Sequence, residues 1–293
     1  MERKDLLAGY ILVAASSLAF SAKGIFAKLI YGYGIDPVTL LALRFAIAMP
    51  FFWGAVLLFP SPRVSWRDFL YLVLSGLLGL YAAALSDFWG LLYIDASLER
   101  VILYTYPAIV TILAAIFFKE RITGKKTVSI LLTYAGLALA LKVTSGIGEA
   151  YAIGAGLVLF SAIIYSLSYI LTEVISRRVS GVKIAAYGTT AATFAFLAQW
   201  RGRYVPEEPG AWVLLAALAL VSTFIPVLTL ALGIKRIGAS KAALVSFIGP
   251  VSTAVLAWLI LGEEMDLVQL AGMGLVIAGV LAISFDKSGK GRT

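Results

Sequence analysis

The chain has 293 residues, of which 61% are hydrophobic and only 14% charged, and its mean hydropathy of +0.96 lies outside the range of water-soluble domains. It contains no cysteine and no histidine, which excludes disulfides, Cys- or His-based nucleophilic catalysis and the usual metal-ligand sets. The formal net charge of +8 invites a nucleic-acid reading, but the placement of the charges argues against it.

Apolar runs of about 20 residues, the length that crosses roughly 30 Å of hydrocarbon at about 1.5 Å per residue, predict an all-α membrane protein with ten spans. They cover residues 6–30, 37–59, 69–92, 97–118, 124–142, 151–176, 182–200, 211–234, 238–261 and 266–285. Span 1 lacks the small-residue cleavage site of a signal peptide and is expected in the mature protein. The connections are short and leave no room for a soluble domain of any size.

With the N-terminus in the cytoplasm, the inner flanks hold most of the basic residues, among them Arg3, Lys4, Arg63, Arg67, Lys119, Arg121, Lys125, Lys126, Arg177, Arg178, Lys235 and Arg236. The outer flanks hold Arg100, Lys142, Arg201 and Arg203. This is the positive-inside bias, and it predicts that both termini are cytoplasmic. The basic charge is topological, so the expected partners are membrane lipid and a small-molecule substrate, without nucleic acid.

Charges inside the spans are functional candidates, because each costs about 2.5 to 3.5 kcal/mol at a helix centre. Span 1 carries Lys23, span 2 Arg44 and span 3 Asp87. All three fall at a similar depth in the outer third, which permits a buried cluster. One reading is a structural ion pair tying spans 1 to 3, or Lys23 snorkelling to the interface. The other is a charge that receives a substrate carboxylate or forms an outer gate. Lys28 lies too near the surface to join them. Glu173, near the cytoplasmic end of span 6, continues a stripe through Ser161, Tyr165 and Tyr169, spaced four apart on one helix face. Asp87 and Glu173 are the titratable groups that a proton-coupled carrier would use.

The sequence also repeats itself. At an offset of 143, Leu72 matches Leu215, Gly90 matches Gly233, Ala96 and Ser97 match Ala239 and Ser240, Pro107 matches Pro250, Glu120 matches Glu263, and Gly136 matches Gly279. At an offset of 145, Gly9, Ser16, Ser21 and Ile25 match Gly154, Ser161, Ser166 and Ile170. Two units follow, 1–146 and 147–293. Each holds an odd number of spans, five, so the second enters the membrane from the opposite side. Inverted repeats of this kind place a substrate site between the halves of secondary transporters. Pro107 and Pro250 lie about ten residues into their spans and are read either as simple kinks or as hinges beside the site. Pro226 has no counterpart, since Ala83 stands in its place. The small residues Ala135, Gly136, Ala278 and Gly279 are expected to allow close helix contact.

The stretches "YTYPAIVTILAAIFFKERITGKKTVSILLTYAGLALAL" and "IGPVSTAVLAWLILGEEMDLVQLAGMGLVIAGVLAIS" each set a proline before an apolar run, a glutamate at the helix exit and a glycine-containing closing helix. The chain thereby resembles the ten-span EamA-type exporters of the drug/metabolite transporter superfamily over nearly its whole length, nearest the aromatic amino-acid exporters. The resemblance implies that spans 1, 3, 4, 6, 8 and 9 surround a central cavity and that transport is outward. Within those spans the candidate substrate contacts are Ser17, Phe20, Ser21, Tyr81, Trp89, Tyr104, Tyr165, Tyr169, Phe224, Ser246 and Phe247. A mostly apolar pocket with a few hydroxyls suits small amphipathic solutes such as amino acids better than nucleotide sugars.

Three rival classes remain. An enzyme would have to work through a Ser–Lys or carboxylate-pair site, with Ser21 and Lys23 the nearest approach. A receptor would carry a sensory domain, and the tail after Phe285 is only "DKSGKGRT". A passive facilitator on the same fold differs from a coupled exporter only in its response to an ion gradient. No cofactor is implied by any of these residues.

Overall fold

Helices form within all ten apolar runs. The structure, a computed structural model, describes residues 3–59, 63–118, 124–140, 148–176, 178–202, 204–237, 245–246 and 248–284. The first run is divided between α1 (Arg3–Ser21) and α2 (Lys23–Tyr31), and the second is α3 (Pro37–Leu58). The third comprises α4 (Trp66–Gly76), a π-helical turn over Leu77–Ala82, and α5 (Ala83–Gly90). The fourth is broken into α6 (Ala96–Leu103) and α7 (Tyr106–Phe118), and the fifth is α8 (Gly124–Ala140). Then come α9 (Glu149–Ser176) and α10 (Gly181–Trp200). The eighth run holds α11 (Pro209–Ala219), a π turn over Leu220–Phe224, and α12 (Ile225–Ile237). α13 (Ile248–Leu256), with a π turn over Ala257–Leu261, and α14 (Leu267–Ser284) complete the chain. Among the described residues, five stretches are long and apolar enough to cross a membrane: Leu6–Tyr31, Pro37–Leu58, Trp66–Gly90, Glu149–Ser176 and Pro209–Leu230.

Polar residues at the run boundaries start and stop these helices. Asp36 accepts from Val38 N at 2.9 Å and Thr39 N at 3.2 Å, with Pro37 pre-set for the first helical position of α3. Ser65 accepts from Asp68 N at 3.1 Å to open α4. Arg201, at φ 53°, and Gly202, at φ 67°, turn the chain out of α10 through the left-handed region.

The same contacts recur at positions that the sequence repeat pairs. Ser16 Oγ donates to Pro226 O at 2.8 Å, and its counterpart Ser161 Oγ donates to Ala83 O at 2.8 Å. Ser21 Oγ reaches Ser17 O at 2.8 Å and Gly249 O at 3.1 Å, while Ser166 Oγ reaches Ala162 O at 2.6 Å and Tyr106 O at 3.2 Å. Gly233 packs on Val13 and Gly9, and Gly90 packs on Val158 and Gly154. The π turns begin at Leu77 and Leu220, again 143 residues apart.

Glycine brings the closing helices α8 and α14 together. A Cβ on Gly136 would lie 2.6 Å from both Gly272 O and Val276 N, backbone atoms that cannot rotate away. The neighbouring alanines expected to share this contact, Ala135 and Ala278, are instead exposed, because adjacent residues on a helix point about 100° apart. Gly136→Leu is expected to overpack the contact at a cost of about 1 to 3 kcal/mol, read as a lower thermal unfolding temperature in detergent.

Candidate functional site

Proline chemistry shapes the middle of the molecule. A proline has no N–H, so the carbonyl four residues earlier loses its helical partner. Ser246 O, four residues before Pro250 and ahead of its helix, accepts Gly249 N at 2.9 Å and also Ser17 Oγ at 2.8 Å and Tyr104 Oη at 2.7 Å. For Pro226 the carbonyl is Ser222 O, which accepts Arg44 Nη2 at 3.2 Å. Pro107 sits in the first turn of α7, after a break at Tyr104 and Thr105. Pro250 sits in the first turn of α13, after a turn at Ser246. Each lies in the first turn of a helical segment, where the missing N–H costs little.

Two communicating chambers lie between the halves. The wider, of about 200 Å³, is lined by Ser75, Gly76, Tyr169, Thr172, Ser176 and Gly181 among others. The inner one, of about 130 Å³, is lined by Ser17, Lys23, Arg44, Asp87, Arg100 and Tyr104 among others. Phe20, Gly79, Leu80, Tyr165, Val227 and Leu230 border both. The wider chamber reaches Ser176, which is exposed at the end of α9, whereas Lys23, Asp87, Glu99 and Arg100 at the far end of the inner chamber are all buried.

A glycine contact shapes the wider chamber. A Cβ on Gly76 would fall 2.5 Å from Gly188 Cα, so α4 and α10 meet backbone to backbone. Ser75 Oγ pairs with Thr172 Oγ1 at 2.8 Å, and Ser168 Oγ donates to Ser75 O at 3.0 Å, leaving a polar strip along an otherwise apolar wall. A ladder of tyrosines follows: ring centroids of Tyr106 and Tyr165 are 5.2 Å apart, of Tyr106 and Tyr169 5.9 Å, and of Tyr104 and Tyr106 6.0 Å.

The far end is closed by charge. Lys23 Nζ lies 2.5 Å from Asp87 Oδ2 and 3.0 Å from Glu99 Oε1, with the side chains 7%, 5% and 0% exposed. Asp87 Oδ1 and Glu99 Oε2 have no hydrogen-bond partner among the described residues. Arg44 does not pair with Asp87, as a three-residue cluster had suggested. Its Nε donates to Thr223 Oγ1 at 2.6 Å, and its guanidinium lies 5.1 Å from the Phe88 ring and 5.2 Å from that of Phe45. Depth is shared, but α3 turns Arg44 towards the π turn at Leu220–Phe224.

The sequence does not single out Glu99, and Arg100 is corrected from an outer-flank charge to a buried one. It is 5% exposed and lies 4.9 Å over the Tyr104 ring. The available signal was the repeat itself: the counterparts of Glu99 and Arg100 are Ala242 and Ala243, so the first half adds a charged pair where the second has none.

Just beyond this end, Glu263 caps α6 from another part of the chain. Its carboxylate accepts from Ala96 N at 2.9 Å, Ser97 N at 3.1 Å and Ser97 Oγ at 2.7 Å. Those N–H groups are orphan donors of a helix N-terminus, where an anion is favoured. Asp95, at the N-cap position, makes no side-chain cap. Partial burial and the Glu263 carboxylate raise its carboxyl above the ordinary value, and Lys28 opposes the shift.

Of the other candidate contacts, Ser17, Phe20, Tyr104, Tyr165, Tyr169 and Ser246 line the chambers, and Ser21 lies behind the wall on backbone carbonyls. Tyr81 turns away to bond Gln199 Oε1 at 3.1 Å and pack on Phe196. Phe224 packs on Phe51 and Phe52, and Trp89 is 37% exposed and lines neither chamber. Phe247 and the side chains of Glu173 and Pro107 lie outside the described residues.

Comparison with known proteins agrees with this architecture. The model of the EamA-like transporter family matches residues 7–142 and again 152–285. An uncharacterized transporter, YcbK, of Bacillus subtilis is 29% identical over 99% of this chain and 96% of its own. A probable terminal-alkyne amino-acid exporter of Streptantibioticus cattleyicolor is 24% identical over 89% and 88%. The pseudopaline exporter CntI of Pseudomonas aeruginosa is 26% identical over 69% and 70%. A protein solved by crystallography superposes with a TM-score of 0.69 at 20% identity, over 97% of both chains, which shows the shared fold. With a family model covering both halves, the chain belongs to the EamA-like transporter family and is a transmembrane transporter, not an enzyme.

Proposed function

We propose that the protein is a secondary transporter of the inner (cytoplasmic) membrane that exports amino acids and related small amphipathic metabolites by alternating access. In this reading it has ten spans, arranged as two five-span repeats of opposite orientation, 1–146 and 147–293, with both termini in the cytoplasm. The observation that carries it is the pair of chambers, open towards Ser176 and closed at Lys23, Asp87 and Glu99. The topology read from the basic flanks puts the Ser176 end at the cytoplasm. The arrangement is then inward-open, the state in which an exporter loads.

The recurring hydroxyl-to-carbonyl contacts, Ser16 to Pro226 and Ser161 to Ala83, support equivalent halves that exchange conformations. The Tyr104, Tyr106, Tyr165 and Tyr169 rings with the nearby Ser17 and Ser246 offer an apolar surface with few polar groups, which suits an amphipathic solute. Two related proteins bear names of exporters, one of a terminal-alkyne amino acid and one of pseudopaline, and support export of small metabolites.

The test is uptake of radiolabelled amino acids, nucleosides and a nucleotide sugar into proteoliposomes, with and without a pH gradient. Saturable amino-acid uptake is the expected result, and its response to the gradient separates a coupled carrier from a facilitator. Uptake of a nucleoside or nucleotide sugar without any amino acid overturns the substrate assignment. Tyr165 borders both chambers, so Tyr165→Ala is expected to raise KM about tenfold, equivalent to roughly 1.4 kcal/mol of lost contact. Unchanged KM removes it from the path.

A further inference from the structure

Three buried cations line the inner chamber: Lys23, Arg44 and Arg100. Lys23 is held by two carboxylates. Arg44 has the Thr223 hydroxyl and the Ser222 carbonyl. Arg100 has neither: its buried Nε is unpartnered, and among the described residues it forms no ion pair. It lies over the face of Tyr104 at 4.9 Å, which stabilises a cation without using its hydrogen-bond donors. Three cations against Asp87 and Glu99 leave one positive charge without a counterion in this cluster.

An arginine that is 5% exposed, with its Nε buried and unpartnered, is costly to leave in that condition. Its planar fork matches a carboxylate, which can take two parallel hydrogen bonds. We propose that Arg100 is the receptor for a carboxylate group of the transported solute. Tyr104, next to it on the chamber wall, and the Tyr106, Tyr165 and Tyr169 rings beyond, provide the surface for the apolar remainder. This deepens the transport reading above, on which it rests, by making a carboxylate the required feature of the substrate.

The test is initial uptake into proteoliposomes of four solutes that differ only in their polar groups: phenylalanine, phenylalaninamide, phenethylamine and 3-phenylpropionate. Wild type is expected to carry phenylalanine at least tenfold faster than the amide or the amine, a comparison that needs no variant to fold. Arg100→Gln is expected to raise KM for phenylalanine at least tenfold, and Arg100→Lys to recover part of the loss, because it restores charge without the fork. Equal uptake of acid, amide and amine overturns the role of Arg100 and leaves the amino-acid reading standing, as does an unchanged KM in Arg100→Gln. Uptake of 3-phenylpropionate without phenylalanine upholds Arg100 and overturns the amino-acid reading. Uptake of none of the four, with no other amino acid of the wider panel carried either, overturns both.

Discussion

Replacing Glu263 with alanine is expected to open the inner chamber from the closed end and to shift the transporter out of the state in which its Ser176 end is open. The carboxylate accepts three hydrogen bonds from Ala96 and Ser97, at 2.7 to 3.1 Å. A hydrogen bond to a charged group contributes about 1.5 to 3 kcal/mol, and leaving a buried donor unmade costs a similar amount. Part of that is recovered when water reaches α6, which leaves a net bias of about 2 to 3 kcal/mol, or roughly 30- to 150-fold in the conformational equilibrium. Because the chain has no cysteine, a single introduced thiol reports this directly. Leu103 lines the inner chamber, so a Leu103→Cys protein treated with an impermeant maleimide from the Glu263 side should label faster by about that factor once Glu263→Ala is added. Glu263→Gln, which keeps one acceptor oxygen and loses the charge, should fall between. An unchanged labelling rate would show that the cap is not a latch.

The repeat supplies a control in the opposite sense. Glu120 is the counterpart of Glu263, and Ala239 and Ser240 are the counterparts of Ala96 and Ser97. These residues lie outside the described ones, so the expectation rests on the sequence repeat alone: an inverted second half would use Glu120 to cap Ala239 and Ser240 when the other end closes. Glu120→Ala should therefore slow labelling of Leu103→Cys from the Glu263 side while Glu263→Ala speeds it. Movement in the same direction by both would remove the idea of paired latches and keep only the observed one.

How far the sequence carried this architecture depended on whether a residue's role was written in a period or in an azimuth. The pairing of Ser16 with Ser161 and of Ser21 with Ser166 was legible because they stand at one offset, whereas the carbonyls they bond, and the place of Ser21 behind the wall, were not. Depth in the span was also legible, and it placed Lys23 and Asp87 together, as they are. Azimuth was not. Arg44 shares their depth but faces Thr223. Tyr81 and Phe224 lie within the π turns Leu77–Ala82 and Leu220–Phe224, where an inserted residue rotates the following side chains off the expected face. Glu99 and Arg100 stand so near the start of their span that a positional reading leaves them at the interface. Only the folded chain shows α2, α9 and α13 packed on α6, with Lys23 and Asp87 supplied from α2 and α5. Glu263 was legible only as the glutamate at a helix exit that matches Glu120, since a cap made to a helix distant in sequence leaves no local pattern.

The strongest effect on stability is expected at Lys23. Lys23→Met would leave Asp87 and Glu99 facing each other, at 5% and 0% exposure, with no cation between them. Breaking a buried ion pair from one side typically costs about 3 to 5 kcal/mol, because the desolvated partner is stranded. At roughly 2 to 4 °C per kcal/mol for a domain of this size, the apparent unfolding temperature in detergent should fall by about 10 °C. Glu99→Gln should do far less, since one carboxylate remains for one ammonium, and Asp87→Asn should be intermediate because it removes the 2.5 Å partner. A measured order with Glu99→Gln worst would contradict this account of the triad. The triple variant Lys23→Met, Asp87→Asn, Glu99→Gln separates fold from function, because an uncharged cluster of similar volume is often as stable as the ion pair it replaces. It should recover most of the lost unfolding temperature yet still admit maleimide to Leu103→Cys from the Glu263 side, since the closure has lost its electrostatic contact. If the triple variant instead transports and labels like wild type, the triad is a structural tie among α2, α5 and α6, and the closing of the path falls to Glu263 alone.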